Sequence, residues 1–351
     1  MSNSKIRLKV LSLYKEYKET IMPRKENISL WAETSQNVDY LPVHYTNSYM
    51  DYQYEYHKKN FKNYVDISII YKNKNDSLSI WPLALSQDNK NNFKIDSFGV
   101  PILTPLFALN CSKKQEKLII SLYYEILEKI SNLFNIKKII YLDFYNSKKG
   151  FCNWFRIISN NSSSVNIDYA LYLEIDKDIN IIKKSFRKSY KSLIKLDNNF
   201  RITMLENNEK KWNEFRKLHY KVAKSITRNK KTWDIQFSHI ISKDAFLIYI
   251  ENEKGNIIGG GYFNCSKDEC FYSVGVYDKD YLDYNLGHII NYYSIKEMIS
   301  RNIKWFKLGH TKVKYKKSEK KLENVSKFKL GFTSNIFPEF QITNTIKKVK
   351  K

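Results

Sequence analysis

The stretch YNLGHIINYYSIKEMISRNIKWFKLG, residues 284–309, contains the pattern that decides the fold. Leu286, Ile289, Ile290 and Tyr293 follow the i, i+3, i+4 and i+7 spacing of a helix with one apolar face. This helix leads directly into a strand at residues 304–308. A core helix followed at once by a strand predicts an α/β fold.

The same order occurs earlier in the chain. Ser112 and Gln115 form a capping box, and the helix that follows carries an apolar stripe of Ile119, Leu122, Tyr123, Ile126, Ile130 and Leu133. A strand is predicted at residues 138–144. Asn135-Ile136-Lys137 and Asn302-Ile303-Lys304 occupy the same helix-to-strand junction in the two halves. The chain is therefore predicted to contain a duplicated α/β unit.

Short polar turns between apolar runs predict antiparallel strands beside these helices. The runs are residues 65–71 and 77–85 in the first half, and residues 245–251, 257–264 and 270–276 in the second. Residues 160–164, Asn-Asn-Ser-Ser-Ser, form the least periodic segment between the halves. We predict domains at residues 1–165 and 166–345, each with mixed, mostly antiparallel sheets flanked by helices, and a basic tail at residues 346–351.

Composition limits the class of protein. The 351 residues include 60 Lys and Arg against 36 Asp and Glu, a net charge of +24, and 42% of the residues are hydrophobic. Such a chain can bury a core and favours anionic partners, although AT-rich codons would also raise the Lys content. The four Cys form no Cys-x-x-Cys motif. The charged N-terminus and the short apolar runs predict no signal peptide, no membrane span and a cytoplasmic location.

Two segments concentrate the positive charge. A helix predicted at residues 181–196 places an apolar stripe of Ile182, Phe186, Tyr190 and Leu193 beside six cations, and no acidic residue occurs before Asp197. Such a face can bind phosphate groups or can simply be solvated. Residues 312–321 carry six Lys and one Glu and are predicted to form a mobile basic loop.

Glycine is scarce and unevenly distributed. Eight of the ten glycines lie between residues 255 and 331, including Gly259-Gly260-Gly261. This clustering indicates a close approach of backbone to ligand, or turns and bulges. Asn285 and Gly287 lie where the last helix begins, followed by His288, and a helix N-terminus can bind phosphate or an oxyanion. Asn285 or Asp283 can instead be a simple helix cap.

Common catalytic motifs are absent from the sequence. It contains no Gly-x-Ser-x-Gly, no phosphate-binding loop, no dinucleotide Gly-x-Gly-x-x-Gly and no His-Glu-x-x-His, and its six His show no metal-ligand spacing. We therefore expect no metal. The enzymes that these absences leave open are those whose catalysis depends on positioning the substrates and on electrostatic stabilisation.

The motif order in the second half resembles a known family. Leu218-His219 and Thr232-Trp233-Asp234 are followed by Ile258-Gly259-Gly260-Gly261 and Val276-Tyr277-Asp278, and the series ends with Gly287-His288, Phe306-Lys307-Leu308-Gly309 and Phe328-Lys329-Leu330-Gly331-Phe332. Residues 186–340 are similar to the Fem-type (FemAB-like) branch of the GNAT acyltransferase superfamily. The resemblance implies tandem GNAT-like domains.

The resemblance also implies roles for individual residues. Lys329, in the Phe-Lys-x-Gly-Phe segment, is implied to bind the donor and stabilise charge as the catalytic residue. Tyr272 and Tyr277 are acceptor-side candidates. The residues implied to hold the donor or its phosphates are Arg187, Lys188, Lys191, Gly259, Gly260, Gly261, Asn285, Gly287 and His288.

The activity implied is an N-acyltransferase that transfers an acyl or aminoacyl group to an amine of an amino sugar or peptide precursor of a bacterial surface glycan. The acceptor would be nucleotide- or lipid-linked. The donor, acyl-CoA or aminoacyl-tRNA, is a co-substrate and stays open, because the chain lacks both the family's coiled-coil arm and the usual acetyl-CoA motif. The alternative is a non-catalytic basic module that binds RNA or glycan on a degenerate GNAT fold.

Overall fold

A computed structural model describes residues 1–17, 20–74, 76–144, 152–160, 162–312, 314–333 and 335–345. The chain divides into two compact units. The first comprises residues 1–168 together with the chain from Pro338 onward, and the second comprises Tyr169–Phe337. The division at residues 168 and 169 falls inside a strand, close to the boundary expected at residue 165. The return of the chain to the first unit is a feature that the sequence did not indicate, and the basic tail at 346–351 lies outside the described residues.

The first unit contains helices and short strands. The helices are α1 (Asn3–Lys15), α2 (Ile28–Gln36), α3 (Asn47–Lys58), α4 (Lys113–Leu133) and α5 (Asn153–Asn160). The strands are β1 (Ile21–Pro23), β2 (Asn63–Asp66), β3 (Ile69–Asn73), β4 (Asp76–Trp81), β5 (Ala84–Gln87), β6 (Phe93–Asp96), β7 (Ile102–Leu103), β8 (Leu106–Phe107) and β9 (Lys138–Phe144). Short 3-10 turns occupy Arg24–Glu26 and Val43–Tyr45.

Elements of the second unit begin with β10 (Ser162–Glu174), whose first residues belong to the first unit. The strands that follow are β11 (Arg201–Met204), β12 (Ala245–Glu251), β13 (Ile257–Cys265), β14 (Glu269–Tyr277), β15 (Trp305–Thr311) and β16 (Asn335–Thr345), and β16 belongs to the first unit from Pro338 onward. The helices are α6 (Ile179–Ser185), α7 (Tyr190–Leu193), α8 (Glu209–Ala223), α9 (Lys230–Ile241), α10 (Leu286–Ser300) and α11 (Lys320–Lys329), with 3-10 turns at Lys279–Tyr284 and Lys317–Glu319.

The first unit has two antiparallel sheets and one mixed group of strands. The antiparallel sheets have the orders β1-β3-β4-β8 and β2-β5-β6. In the mixed group, β9 pairs in parallel with β7 and antiparallel with β16. The core of this unit centres on Trp81, whose ring lies 5.0 Å from those of Tyr123 and Trp154.

In the second unit the sheet order is β11-β12-β13-β14-β15-β10, and the pairing is antiparallel except between β14 and β15. On one face, Leu286, Ile289 and Ile290 of α10 pack with Phe263 and Phe306. On the other face, α8 and α9 contribute a core whose aromatic members are Trp212, Phe215 and Trp233. The predicted mixed, mostly antiparallel sheets with flanking helices are confirmed.

The two helix-to-strand junctions have the same geometry. Asn135 and Asn302 have φ values of +53° and +58°. Behind them, Ile136 N donates to Ser131 O at 2.8 Å, and Ile303 N donates to Met298 O at 3.0 Å. This hydrogen bond, from an N–H to the carbonyl five residues earlier, is the Schellman motif. It ends a helix when the residue after the cap is left-handed. The Asn-Ile-Lys sequence that the two halves share therefore corresponds to the same helix C-terminal structure in both.

Several local expectations were wrong. Residues 65–71 and 77–85 each contribute to two strands that belong to different sheets, β2 with β3 and β4 with β5, and the second break falls at Pro82. Leu133 ends the α4 stripe but is 45% exposed. Of the expected linker at 160–164, residues 162–164 lie in β10.

The helix expected at residues 181–196 is two helices, α6 and α7. The break occurs at Phe186, whose φ and ψ of −66° and 149° are extended. Phe186 is 3% exposed, so burial of its ring overrides helix continuity. The basic segment 312–321 also differs from the expected loop, because it contains a 3-10 turn and the start of α11, and Lys312 pairs with Glu319 at 2.7 Å.

Candidate active site

Parallel strands β14 and β15 separate after three paired residues. Their ladder begins at Glu269 opposite Trp305 and ends at Phe271 opposite Lys307. Beyond that point β14 continues along β13 to Tyr277, while β15 continues along β10 to Thr311. Where two paired strands diverge, the backbone groups on their facing edges become available to a ligand. This opening is the centre of the candidate site.

Lys329 places its ammonium at the β15 side of the opening. It is the last residue of α11, and a Cβ on Gly309 of β15 would overlap its Nζ. Nζ also lies 5.8 Å from the centre of the Tyr272 ring. No acidic group acts on this amine among the described residues, so burial alone lowers the pKa of Lys329 to about 8.

A hydrogen bond attaches α11 to β15 near Lys329. Ser326, 2% exposed, donates through Oγ to Thr311 Oγ1 at 2.6 Å. Ser326 is one turn before Lys329, so both side chains lie on the same face of the helix. The helix end that carries the amine is therefore held against the strand that carries Gly309.

Two tyrosines occupy the β14 side of the opening. The hydroxyls of Tyr272 and Tyr277 are 2.5 Å apart. Burial raises the pKa of Tyr272 to about 12, although hydrogen bonds with Tyr277 and Asn291 act in the opposite direction. A Cβ on Gly275 would overlap the Tyr272 hydroxyl. Both phenols consequently remain protonated near neutral pH. One of their two protons is used in the bond between the hydroxyls, and the other can be donated to a further group.

Asn291, on α10, completes this polar group. It is fully buried and its Nδ2 donates to Gly287 O at 2.8 Å, whereas its Oδ1 has no hydrogen-bond partner. Gly287 lies between two rings, because a Cβ at this position would be 3.3 Å from both Tyr277 and Phe328. Gly287 thus permits the start of α10 to approach the tyrosines and α11 closely.

Asn285 precedes α10 as its cap residue but does not cap it with its side chain. Its φ of +55° is left-handed, and its Nδ2 donates to Asp283 O at 3.3 Å. The first amides of α10 therefore receive no side-chain cap from it. A helix start of this kind attracts anions.

His288 belongs to an aromatic cluster beside these residues. Its ring centre is 4.4 Å from that of Tyr190 and 5.0 Å from that of Phe328, and burial lowers its pKa. A Cβ on Gly331 would overlap the Tyr190 ring. The Tyr190 hydroxyl donates to Phe328 O at 3.0 Å. In this geometry the His288 ring packs against the rings of Tyr190 and Phe328.

Arg187, Lys188 and Lys191 lie in the segment that contains the break between α6 and α7, and all three are exposed. The Arg187 guanidinium lies 5.3 Å from the centre of the Tyr190 ring, and its backbone N donates to Gly331 O at 2.8 Å. Arg187 is thus in contact with Tyr190 and with Gly331, two residues after Lys329.

Gly259, Gly260 and Gly261 are buried inside the sheet rather than at its opening. A Cβ on Gly259 would be 3.1 Å from Leu286 and Tyr277, while Gly260 faces Phe215 and Gly261 faces Ile290. These glycines let helices on both faces approach β13 closely. Their connection with the site is indirect, through Tyr277.

Sequence reasoning assigned no site role to Gly275, Gly309 or Asn291. The clustering of glycines signalled the first two, because both belong to the glycine-rich region between residues 255 and 331. No pattern in the sequence identified Asn291, whose amide becomes significant only when α10 packs against Tyr272.

The described residues contain neither a cluster of metal ligands nor a membrane-spanning helix. No three His, Cys, Asp or Glu side chains are grouped as metal ligands would be. None of the described helices is both long enough and apolar enough to span a membrane.

Solved structures of low sequence identity share the fold. FemX superposes with a TM-score of 0.67 at 11% identity, covering 91% of this chain and 96% of FemX. A tandem GNAT protein from the clavulanic acid biosynthesis pathway gives 0.51 at 8% identity, covering 94% and 99%. L-PGS from Bacillus licheniformis gives 0.54 at 8% identity, covering 92% and 93%. No protein-family model and no curated protein matches the sequence.

Proposed function

From the Fem-type tandem GNAT fold of this chain, we propose that it is an acyltransferase that joins an acyl or aminoacyl group to an amine. The observation that carries this proposal is the position of Lys329, whose ammonium lies over Gly309 at the opening between β14 and β15. At this position the cation has no carboxylate to neutralise it within the described residues.

Acyl transfer to an amine passes through a tetrahedral intermediate whose oxygen carries negative charge. The amine nitrogen bonds to the carbonyl carbon, the bond to the leaving sulfur or oxygen breaks, and a proton passes overall from the amine to the leaving group. A half-buried ammonium stabilises such an oxyanion more strongly than a solvated one does, because little water screens it. Lys329 is proposed to supply this charge.

Tyr272 is proposed to act beside Lys329. Its hydroxyl stays protonated, since the pKa is raised to about 12, and it is a hydrogen-bond donor close to the same opening. The Tyr277 hydroxyl and Asn291 hold it in place. A donor fixed before the reaction contributes more than one that must reorient in the transition state.

Phosphate groups of the donor or the acceptor are proposed to bind Arg187, Lys188 and Lys191 and the uncapped start of α10 at Asn285 and Gly287. The donor is proposed to be acyl-CoA or aminoacyl-tRNA, used as a co-substrate and not as a tightly bound cofactor. Both kinds of donor carry phosphate, which is consistent with the exposed cations.

The acceptor is proposed to be a nucleotide- or lipid-linked amino sugar or peptide precursor of a bacterial surface glycan. Support comes from the fold shared with FemX and from the net charge of +24, which favours a phosphate-bearing acceptor. Because the proposed donors occur in the cytoplasm, the reaction is proposed to take place there.

The test is an incubation of the full chain with a panel of acyl-CoAs and charged tRNAs and a pool of amino-sugar precursors, followed by mass spectrometry of donors and acceptors. Lys329→Met is expected to lower turnover by about 10²- to 10³-fold, the usual cost of removing one oxyanion-stabilising group. Lys327→Met is the matched control, since Lys327 lies on the same helix but is exposed and paired with Glu323 at 2.7 Å. Equal turnover in both variants would remove Lys329 from the mechanism.

Exposed cations also support the non-catalytic alternative, a module that binds RNA or glycan. That function predicts no donor consumption, together with an RNA affinity that falls steeply with salt. A titration of the chain with RNA at several salt concentrations separates the two proposals.

A further inference from the structure

A cavity of about 450 Å³ lies in the first unit, between α4 and the strands that it covers. Tyr124 and Glu128 of α4 form one wall, Tyr141 of β9 forms the opposite wall, and Asn344 of β16 lies at the strand end. Sites for small ligands usually have volumes of about 300–1,000 Å³. The space is therefore large enough for one small molecule.

Asn344 is the unusual member of this lining. Its side chain is 4% exposed, and neither Nδ2 nor Oδ1 has a hydrogen-bond partner. A buried amide without partners costs about 1–3 kcal/mol, and natural structures seldom keep such a group without a reason. Because χ2 of Asn is a broad torsion, the amide can turn towards the cavity without changing its χ1 rotamer.

The remaining groups narrow the ligand chemistry. Hydroxyls come from Ser162, Ser163 and Thr345, and flat surfaces come from the two tyrosines. The Asn344 amide offers both donors and an acceptor, and a ligand that satisfies it must offer both as well. Vicinal hydroxyls and acetamido groups do so. Aromatic faces and hydroxyl groups together suit the apolar and polar faces of a sugar ring.

The lining of this cavity differs in charge from the residues of the second unit that are proposed to bind phosphate. In a chain of net charge +24, its one charged lining residue among the described ones is the carboxylate of Glu128. An anionic ligand would lie beside that carboxylate with no cation to balance it. The cavity chemistry thus favours a ligand that is neutral or positively charged.

We propose that this cavity binds a hexosamine unit that carries no phosphate, with the Asn344 amide bonded to its hydroxyl or acetamido groups and Glu128 facing its amino substituent. The inference is independent of the proposed acyl transfer, because its residues belong to the other unit. The site would let the chain hold a glycan as well as a phosphate-bearing substrate.

The test uses the full chain and three probes, glucosamine, N-acetylglucosamine and glucose 1-phosphate. Each is supplied at about 10 mM, where a ligand with a Kd of about 1 mM is mostly bound, and binding is read by saturation-transfer NMR. The two amino sugars are expected to bind, and glucose 1-phosphate at least about tenfold more weakly, the factor that corresponds to 1.4 kcal/mol.

Two variants locate the binding. Asn344→Leu is expected to abolish it without lowering the thermal unfolding temperature, because replacing an unpartnered amide by an apolar group of similar size does not destabilise a core. Glu128→Gln is expected to weaken the binding of glucosamine more than the binding of N-acetylglucosamine. Glu125→Gln on the same helix is the control, since Glu125 pairs with Lys129 at 3.0 Å and does not line the cavity.

Three results would overturn the proposal. These are the absence of amino-sugar binding at the concentration used, unchanged binding in Asn344→Leu, and a preference for the phosphate-bearing sugar. Loss of acyl transfer in a Lys329 variant would leave this binding untouched, so the failure of one proposal can be told from the failure of the other.

Discussion

Glycines at positions 275 and 309 each make room for the end of a side chain that is proposed to act on the substrate. The Tyr272 hydroxyl lies over Gly275 of β14, and the Lys329 ammonium lies over Gly309 of β15. The two glycines are on the two strands that separate after Phe271 and Lys307. At each position a Cβ would displace the group that is proposed to act on the substrate.

The charge state of Lys329 predicts a pH dependence. Its pKa is lowered to about 8, and the proposed role requires the protonated form. The rate of the parent divided by the rate of Lys329→Met cancels the ionisation of the acceptor amine. This ratio should be constant below about pH 7 and should fall about tenfold per pH unit above 8. Initial rates of both proteins measured between pH 6 and 10 check this. A ratio that rises through pH 8 would indicate that the neutral Lys329 amine acts as a base.

Gly275→Ala tests whether the Tyr272 hydroxyl must occupy the space over Gly275. Gly275 is exposed and its φ is not left-handed, so alanine is tolerated by the backbone and acts by displacing the Tyr272 hydroxyl. Turnover should fall by about 10- to 100-fold, with a change in unfolding free energy below about 1 kcal/mol. In a Tyr272→Ala background the same substitution should have little further effect. Additive losses would show that Gly275 acts on some other group.

A resemblance in the sequence made Lys329 and the tyrosine pair candidates for the site, together with Arg187 and Gly287, and these assignments stay predictions. Sequence reasoning could not separate Gly259–Gly261 from Gly275 and Gly309, because composition does not reveal which side of a sheet is covered by helices. Only packing shows that the triple-glycine strand faces Phe215 and Ile290.

Helix α4 with β9 and helix α10 with β15 are the two copies of one element pair. Both helices end with a left-handed Asn and the same six-residue hydrogen bond. This element was predictable because the apolar stripe, the Asn and the strand follow one another within a few residues. Element boundaries elsewhere depended on distant contacts, as at Phe186, where ring burial ends α6.

The left-handed junction predicts the cost of substitutions at Asn302. Asn302→Val should lower the free energy of unfolding by about 1–2 kcal/mol, because a β-branched residue at positive φ clashes with its own carbonyl. Asn302→Gly should be neutral or slightly stabilising. Urea unfolding checks both variants. A Val variant as stable as the parent would contradict the φ of +58°.

Net positive charge acts at the scale of the whole molecule. Arg187, Lys188 and Lys191 are exposed on a chain of net charge +24, so the proposed phosphate-bearing substrate is attracted over a distance that salt shortens. The sequence indicated this attraction but could not say where the cations gather, since codon usage also raises the Lys content.

Salt should therefore raise KM and leave kcat nearly constant. Between about 50 and 200 mM salt, a contribution from three phosphate contacts predicts a rise in KM of about 20- to 40-fold. Replacing Arg187, Lys188 and Lys191 by Gln should flatten this dependence. Replacing Lys113, Lys114 and Lys117 of α4 removes the same charge elsewhere and is the control. Equal effects of both triple variants would mean that net charge alone attracts the substrate.

The return of the chain to its first unit has a consequence for synthesis on the ribosome. Strand β9 is paired along seven residues with β16, the last strand among the described residues. Residues 1–168 leave the ribosome long before that partner exists, so the edge of β9 stays open while the second unit is translated. An open edge invites pairing with other nascent chains. We therefore expect the nascent chain to be most prone to wrong strand pairing while residues 169–337 are translated.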